Sequence, residues 1–458
     1  MLPILLVKSQ IGIGDSTMRF PRLYPLHGLS NQGQLWSWIS FDVANQSFTL
    51  IINTLLFSLF FQEVVVRDAA RDDLLWNLTY AASMLLVVVA SPIVGAIADE
   101  RAWKKRCLLS TGFLCAAFTC ALALIGPGQL WLAVLLYLPA NFMFSIGENF
   151  LASFLPEVSP REHFGRVSGF SWACAYSAAL VLLALTAITM IVFKLESADD
   201  WRPIFIFAGL WFFAFALPTL LFLRERPASV SGAAANIILA GFRRLAASAR
   251  QAAHFRDMGL LLIASLFYGA GMTVIILFAS ILAREFGFSN VQLVLFIAVI
   301  TISGVVGTLI PTLFQDRLGH KRTTLLLLSV WIAATAGFVL FAWLRSRAPD
   351  PNGYATWPLW LLGNLFGFGL GSLGSANRAF VGYLTPASRS AEFFGLWGLV
   401  FKLAAVVTIP FGWAKDVWGT PAALVVLLGF LVVGSIITLF VDEHRGLEAA
   451  RAEDSLQP

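Results

Sequence analysis

Asp99-Glu100-Arg101-Ala102-Trp103-Lys104-Lys105-Arg106 follows the second long apolar run of the chain, and Asp316-Arg317-Leu318-Gly319-His320-Lys321-Arg322 follows the eighth. Both stretches place an acid before a basic cluster. Their leading acids stand 217 residues apart, close to half of the 458-residue chain. A pattern that returns at half the length points to an internal duplication. A second echo pairs Phe164-Gly165 with Phe394-Gly395 at an offset of 230, so loop lengths differ between the halves.

What is duplicated follows from the apolar runs around these stretches. A helix needs about 20 apolar residues to cross a bilayer. That ruler lays out roughly twelve spans, near 35–61, 75–98, 107–125, 129–153, 165–193, 202–223, 258–283, 290–314, 323–344, 358–381, 392–413 and 421–441. The expected fold is all-α, a polytopic membrane protein of two six-helix bundles. The expected divisions are a tail over 1–34, a first bundle over 35–223, a linker over 224–257, a second bundle over 258–441 and a tail over 442–458. The linker holds Gly241-Phe242-Arg243-Arg244-Leu245-Ala246-Ala247, which reads as part of an amphipathic surface helix.

Composition agrees. Only 12% of residues are charged, AVILMFWYC supply 58%, and the mean hydropathy is +0.79. Ordinary soluble proteins carry about 25% charge, so most soluble folds are excluded. The long runs also exclude a membrane β-barrel, whose strands alternate in polarity over about ten residues. The net charge of +5 therefore reflects membrane topology rather than nucleic-acid binding. With a cytoplasmic N-terminus, 22 of the 31 Lys and Arg fall in inside segments and 8 in outside ones, with Lys402 left within a span. Both termini are thus expected in the cytoplasm, in a plasma or inner membrane. No cleavable signal is apparent at Leu2 to Val7. Cys107, Cys115, Cys120 and Cys174 lie in apolar segments without metal-ligand spacing and read as packing residues.

Polar residues inside the spans mark the candidate pathway. Asp42, Asn45, Thr49 and Asn53 recur at helical spacing on the first span, with Gln46 beside them; Asn141, Ser145, Glu148 and Asn149 do so on the fourth. A charge at the bilayer centre costs about 2.5 to 3.5 kcal/mol on insertion scales, so Asp42, Glu148 and Lys402 should face a wet cavity or pair with one another. Arg378 closes the tenth span as an anion-binding or snorkelling cation. Gly363, Gly367 and Gly371 at spacing four suit close helix packing. Gly369-Leu370-Gly371-Ser372-Leu373-Gly374 matches a dinucleotide fingerprint in form only, because it follows no strand. Trp172 and Tyr176 read as core aromatics or a substrate platform. The five His lie in loops or tails, so no metal site, cofactor or enzymatic chemistry is expected.

The repeated loops, Gly95 to Arg106 and Asp316 to Arg322, resemble the loop signature of the major facilitator superfamily. Within it, three stretches resemble the autophagy-related vacuolar effluxer family. Trp36 to Phe48 is similar to its first-helix motif, departing at Phe41, Val43 and Phe48. Phe154-Leu155-Pro156-Glu157 with Gly165-Arg166-Val167-Ser168-Gly169 is similar to its block after the fourth helix, and Leu151-Ala152 departs from it. Ala391-Glu392-Phe393-Phe394-Gly395-Leu396 is similar to the block opening its eleventh. The resemblance implies a secondary transporter exporting amino acids or similar metabolites by alternating access; Glu148, or in second place Asp42, is the expected carrier of a coupling proton, as a carboxyl group inside a span that can load and release it. The expected partners are a small-molecule solute, the lipid bilayer and protons, with no nucleic acid and a monomeric state. A non-transporting receptor or scaffold, or an amphipathic-lipid transporter, is the alternative. Asp99, Lys104, Lys105, Arg106, Asp316, Arg317, Lys321 and Arg322 are the expected gate, through carboxylates that hold and release basic groups or helix ends; positive-inside anchoring is the plainer role.

Overall fold

A computed structural model describes residues 26–29, 31–160, 164–225, 255–310, 314–348, 355–386 and 390–456. Among them eleven helices are long and apolar enough to cross a membrane, and a bent pair makes a twelfth. The bent helix is α1, Gln32–Leu55 turning by 41° into Phe57–Val66. Then follow α2 (Asp72–Arg101), α3 (Lys104–Ala121), α4 (Leu130–Ser153), α5 (Phe164–Phe193) and α6 (Arg202–Phe222). The second half holds α7 (Arg256–Glu285), α8 (Asn290–Leu309), α9 (His320–Ser346), α10 (Trp357–Leu384), α11 (Ser390–Val407, continued by Ile409–Trp418) and α12 (Thr420–Leu439), with α13 (Glu443–Leu456) after it. No strand occurs among the described residues. In lipid every backbone group must bond within its own segment, which a helix achieves and an open sheet does not.

Local chemistry sets the helix ends. Pro203, Pro358 and Pro421 open α6, α10 and α12, where a missing N–H costs nothing. Ser289 and Gln292 form a reciprocal capping box at α8. Gly319 and Gly419, at φ 93° and 81°, turn the chain into α9 and α12.

The duplication is visible in the packing. In the first half α1 packs on α5 and α6, α3 on α4 and α6, and α2 on α4. The second half repeats each pair six helices later: α7 on α11 and α12, α9 on α10 and α12, α8 on α10. Two six-helix bundles result, meeting through α2 on α11, α5 on α8 and α1 on α7. Glycines bring α8 and α10 into backbone contact: a Cβ at Gly371 would collide with the Gly304 carbonyl, and one at Gly367 with the Ile300 carbonyl.

Helices alternate in direction, so odd helices begin, and even helices end, at what we term the tail end. The opposite, far end carries the 67–71 and 286–289 turns.

Three details correct the sequence reading. Expected as one regular span, α1 instead winds as a π-helix over Phe48–Leu55 and again over Phe61–Val66. The Thr54 hydroxyl follows that winding, donating to the Thr49 carbonyl five residues back at 2.9 Å. Second, α11 continues to Trp418, so Lys415 sits in its last turn and not in a loop. Third, the tail contains α13. The surface helix expected in the linker lies outside the described residues, as do the side chains of Asp99 and Asp316.

Candidate functional site

Four charged side chains meet between the bundles. The first bundle supplies two carboxylates, Asp42 on α1 and Glu148 on α4; the second supplies two cations, Arg378 on α10 and Lys402 on α11. Asp42 interacts electrostatically with Arg378, and Glu148 with Lys402 and Asp42. Glu148 and Arg378 are exposed, whereas Asp42 and Lys402 are half-buried. Opposite charges therefore face each other from the two bundles, and none of the four forms a contact ion pair among the described residues.

Neutral groups hold three of these charges. The Ser171 hydroxyl on α5 donates to Asp42 Oδ2 at 2.5 Å. Lys402 Nζ donates to Asn149 Oδ1 at 2.6 Å, and the Arg378 guanidinium lies 5.7 Å from the centre of the Trp397 ring. Glu148 has no hydrogen-bond partner among the described residues.

The remaining pathway candidates sit elsewhere. Asn53 Nδ2 donates to Asn141 Oδ1 at 3.2 Å, Tyr137 Oη donates to Asn53 Oδ1 at 2.8 Å, and Asn141 Nδ2 donates to Ser83 Oγ at 2.6 Å. Asn53 and Asn141 are buried, so this network ties α1, α2 and α4 together inside the first bundle. Ser145 is buried with its hydroxyl 3.9 Å from the Met84 sulfur. Thr49 donates to the Asn45 carbonyl at 3.2 Å, and the buried Asn45 carboxamide has no partner at either polar atom among the described residues. Trp172 and Tyr176 contact each other with ring centres 5.6 Å apart.

Of the expected gate residues, Lys104 and Lys105 open α3 at the tail end. Their backbone N–H groups donate to the Glu225 carboxylate at 2.9 and 3.0 Å, and Lys104 Nζ lies 3.5 Å from Glu157. The second half repeats the arrangement, since the Lys321 N–H at the start of α9 donates to Glu443 at 3.0 Å. Carboxylates thus cap both helix N-termini, where unpaired N–H groups and the helix dipole favour negative charge. The spacing could have revealed both caps: Glu225 and Glu443 stand 218 residues apart, Lys104 and Lys321 217 apart. Arg106, Arg317 and Arg322 are exposed; Arg106 lies 5.6 Å from the Trp103 ring centre.

Sequence reasoning missed the closure of the far end. Lys415 Nζ lies 2.6 Å from Asp73 Oδ2 and 3.2 Å from Glu285 Oε2, and Asp73 is only 3% exposed. Gln62 Nε2 also donates to Asp73, at 2.6 Å. Asp416 accepts the Asp73 and Leu74 N–H groups at 3.2 and 2.9 Å, so a residue of the second bundle caps α2 of the first. Asn77 with Thr408, Trp76 with the Leu277 carbonyl, Ser58 with Ser280, and Arg284 with Glu63 extend the seam. Asp72, Asp73 and Asp416 lie close enough to suggest a metal group, but Lys415 already supplies a positive charge to Asp73. Among the described residues, every side-chain hydrogen bond joining the bundles lies in this far portion except Lys402 to Asn149.

A transporter-like arrangement of paired bundles has a counterpart in sequence. The family model described as "Vacuole effluxer Atg22 like" matches residues 75–451. The chain belongs to the Atg22-like vacuole effluxer family. The uncharacterised MFS-type transporter YxiO of Bacillus subtilis is 23% identical to this Atg22-like chain over 434 residues, covering 92% of the chain and 97% of the relative. Autophagy-related protein 22 of Yarrowia lipolytica is 23% identical over 316 residues, 64% of this chain, and the chain spans about half of that relative, 53%. A crystal structure of a D-xylose-proton symporter superposes with a TM-score of 0.67 at 14% identity, covering 90% of this chain and 98% of that one. The Atg22-like chain is thus a multi-pass transporter of the major facilitator type, and its family and fold are those of transporters rather than enzymes.

Proposed function

We propose that this Atg22-like protein exports an amphoteric small organic solute, an amino acid or similar metabolite, by alternating access. The observation that carries the reading is the split site: carboxylates Asp42 and Glu148 on one bundle, cations Arg378 and Lys402 on the other, with no contact pair between them. A solute bearing an ammonium and a carboxylate matches both walls at once. It draws the bundles together only when both of its charges are present, so its binding energy goes into the conformational step. Among the described residues the side-chain hydrogen bonds between the bundles gather in the far portion, with Lys402 to Asn149 nearer the tail end, and the distribution of Lys and Arg supports a cytoplasmic tail end. Solute then enters from inside while the Lys415 seam closes the outside.

Glu148 is the proposed proton carrier. A proton and the ammonium of a solute compete for one unpartnered carboxylate, and competition at a shared site yields exchange: protons inward, solute outward. A thermal-shift series tests the charge requirement, since a ligand that binds only the folded state raises its stability. Leucine should stabilise the purified protein, whereas N-acetyl-leucine, lacking the cation, and leucine methyl ester, lacking the anion, should stabilise it far less. Equal shifts from all three, with none from other free amino acids, would refute the split-site reading; stabilisation by lipid alone would favour an amphipathic-lipid transporter.

A further inference from the structure

The charge of Lys402 is held by Asn149, one residue along α4 from Glu148, and the hydrogen-bond polarity of that contact is fixed at both ends. An ammonium can only donate, and Asn149 Oδ1 accepts from it at 2.6 Å. Asn149 Nδ2 must then donate, and it does so to Ser91 Oγ at 3.2 Å. The Ser91 hydroxyl spends its own proton on the Val87 carbonyl at 2.6 Å, which accepts only. Donors therefore run in one direction, Lys402 to Asn149 to Ser91 to Val87. No member can reverse without leaving a polar group unpaired, and the chain crosses from the second bundle into the first.

We infer that Asn149, oriented by Ser91, is a positioning residue that holds Lys402 on a neutral acceptor and so keeps the neighbouring Glu148 carboxylate free for the cationic group of the solute. The inference rests on the split-site reading for its consequence, but not for its geometry. Without a neutral acceptor, a half-buried ammonium beside an unpartnered carboxylate turns to it, because opposite charges attract strongly where water is partly excluded. That pair would neutralise one charge on each wall before any solute arrived. An amide is suited to the position because it accepts from Lys402 and donates to Ser91 simultaneously, which a carboxylate, an acceptor only, cannot do.

Zero-length carbodiimide cross-linking measures the proposal without any solute. Carbodiimide activates a carboxyl group that a lysine amine in contact then attacks, leaving an amide bond that mass spectrometry locates. The full-length protein in nanodiscs should give little Glu148–Lys402 cross-link, and Asn149→Ala should raise its yield about tenfold. Ser91→Ala, a milder change that removes only the orienting hydroxyl, should raise it to an intermediate level and serves if Asn149→Ala fails to fold. Equal yields in the wild type and in whichever variant folds would overturn the inference. Leucine methyl ester, a cationic probe, supplies the functional arm. Its binding should fall about tenfold in Asn149→Ala and recover in Asn149→Ala/Lys402→Gln, where no ammonium competes for Glu148; a merely structural loss would not recover. If the cross-link rises as expected but leucine and its ester fail to bind the wild type, the split-site reading fails and the positioning role of Asn149 stands.

Discussion

Removing the ammonium of Lys415 should open the far end. Asp73 is 3% exposed and, among the described residues, would keep only the Gln62 amide as a side-chain partner. Breaking a buried ion pair by deleting one partner costs about 3 to 5 kcal/mol, because the remaining charge stays desolvated. Here the protein can avoid most of that cost by separating α2 from α11 and wetting Asp73, so the penalty falls on the closed state. At 1.4 kcal/mol per factor of ten, 3 kcal/mol multiplies the open-to-closed ratio by about 150. The neighbouring Arg284–Glu63 pair, 3.0 Å apart with side chains 27% and 39% exposed, provides an internal comparison. Partly exposed pairs contribute about 0.2 to 1 kcal/mol, so Arg284→Gln should change the ratio by no more than about fivefold. Spin labels at exposed positions 70 and 417, in a background without Cys107, Cys115, Cys120 and Cys174, would report the distance between α2 and α11 by double electron–electron resonance. Lys415→Met should shift the distribution to longer distances and Arg284→Gln should barely move it. Asp73→Asn/Lys415→Met, which removes both charges, should return most of the population to the closed distance. Equal effects of the two single changes, or no shift with Lys415→Met, would refute the ranking of these contacts.

Gly371→Ala should lower stability by about 1 to 3 kcal/mol, the usual cost of overpacking, because its Cβ meets the Gly304 carbonyl; Gly429→Ala, with nothing within 4 Å, should not, and thermal unfolding in detergent compares them. Glu225→Ala should fray the start of α3 and Glu443→Ala that of α9, each costing about 0.5 to 2 kcal/mol as lost caps do, visible as faster amide exchange at Lys104–Lys105 and at Lys321. For topology, cysteines at positions 104 and 321 should react from one side of the membrane and those at 71 and 347 from the other; a split within either pair would contradict the twelve-helix arrangement.

The spans were legible because about 20 apolar residues are a bilayer requirement independent of tertiary context. Asp42, Glu148 and Lys402 stood out for a similar reason, since charge within a span is costly wherever it falls. Contacts between bundles were not legible. Asp73 and Lys415 sit near helix ends, where charge is ordinary, and 342 residues separate the partners. The Asn53 and Asn141 stripes identified helix faces but could not tell a cavity from an interior bonded by Tyr137 and Ser83. The π winding of α1 was not legible, because Thr49 and Asn53 keep a spacing of four that reads as regular helix, and the contacts of that segment with α7 come from the other half of the chain. The caps at α3 and α9 were readable in principle from the 218-residue spacing of Glu225 and Glu443, once the bundles were known to repeat.

Transport by the purified protein in proteoliposomes tests the central claim most directly. With an outwardly directed proton gradient imposed, radiolabelled leucine should accumulate inside vesicles above the level in protein-free ones. N-acetyl-leucine and leucine methyl ester should not accumulate. Glu148→Gln should abolish gradient-driven accumulation and leave leucine–leucine exchange only at lowered affinity, because the ammonium of the solute then keeps Asp42 as its carboxylate. Accumulation of the two singly charged derivatives as fast as leucine, or gradient-driven transport that survives in Glu148→Gln, would contradict the account.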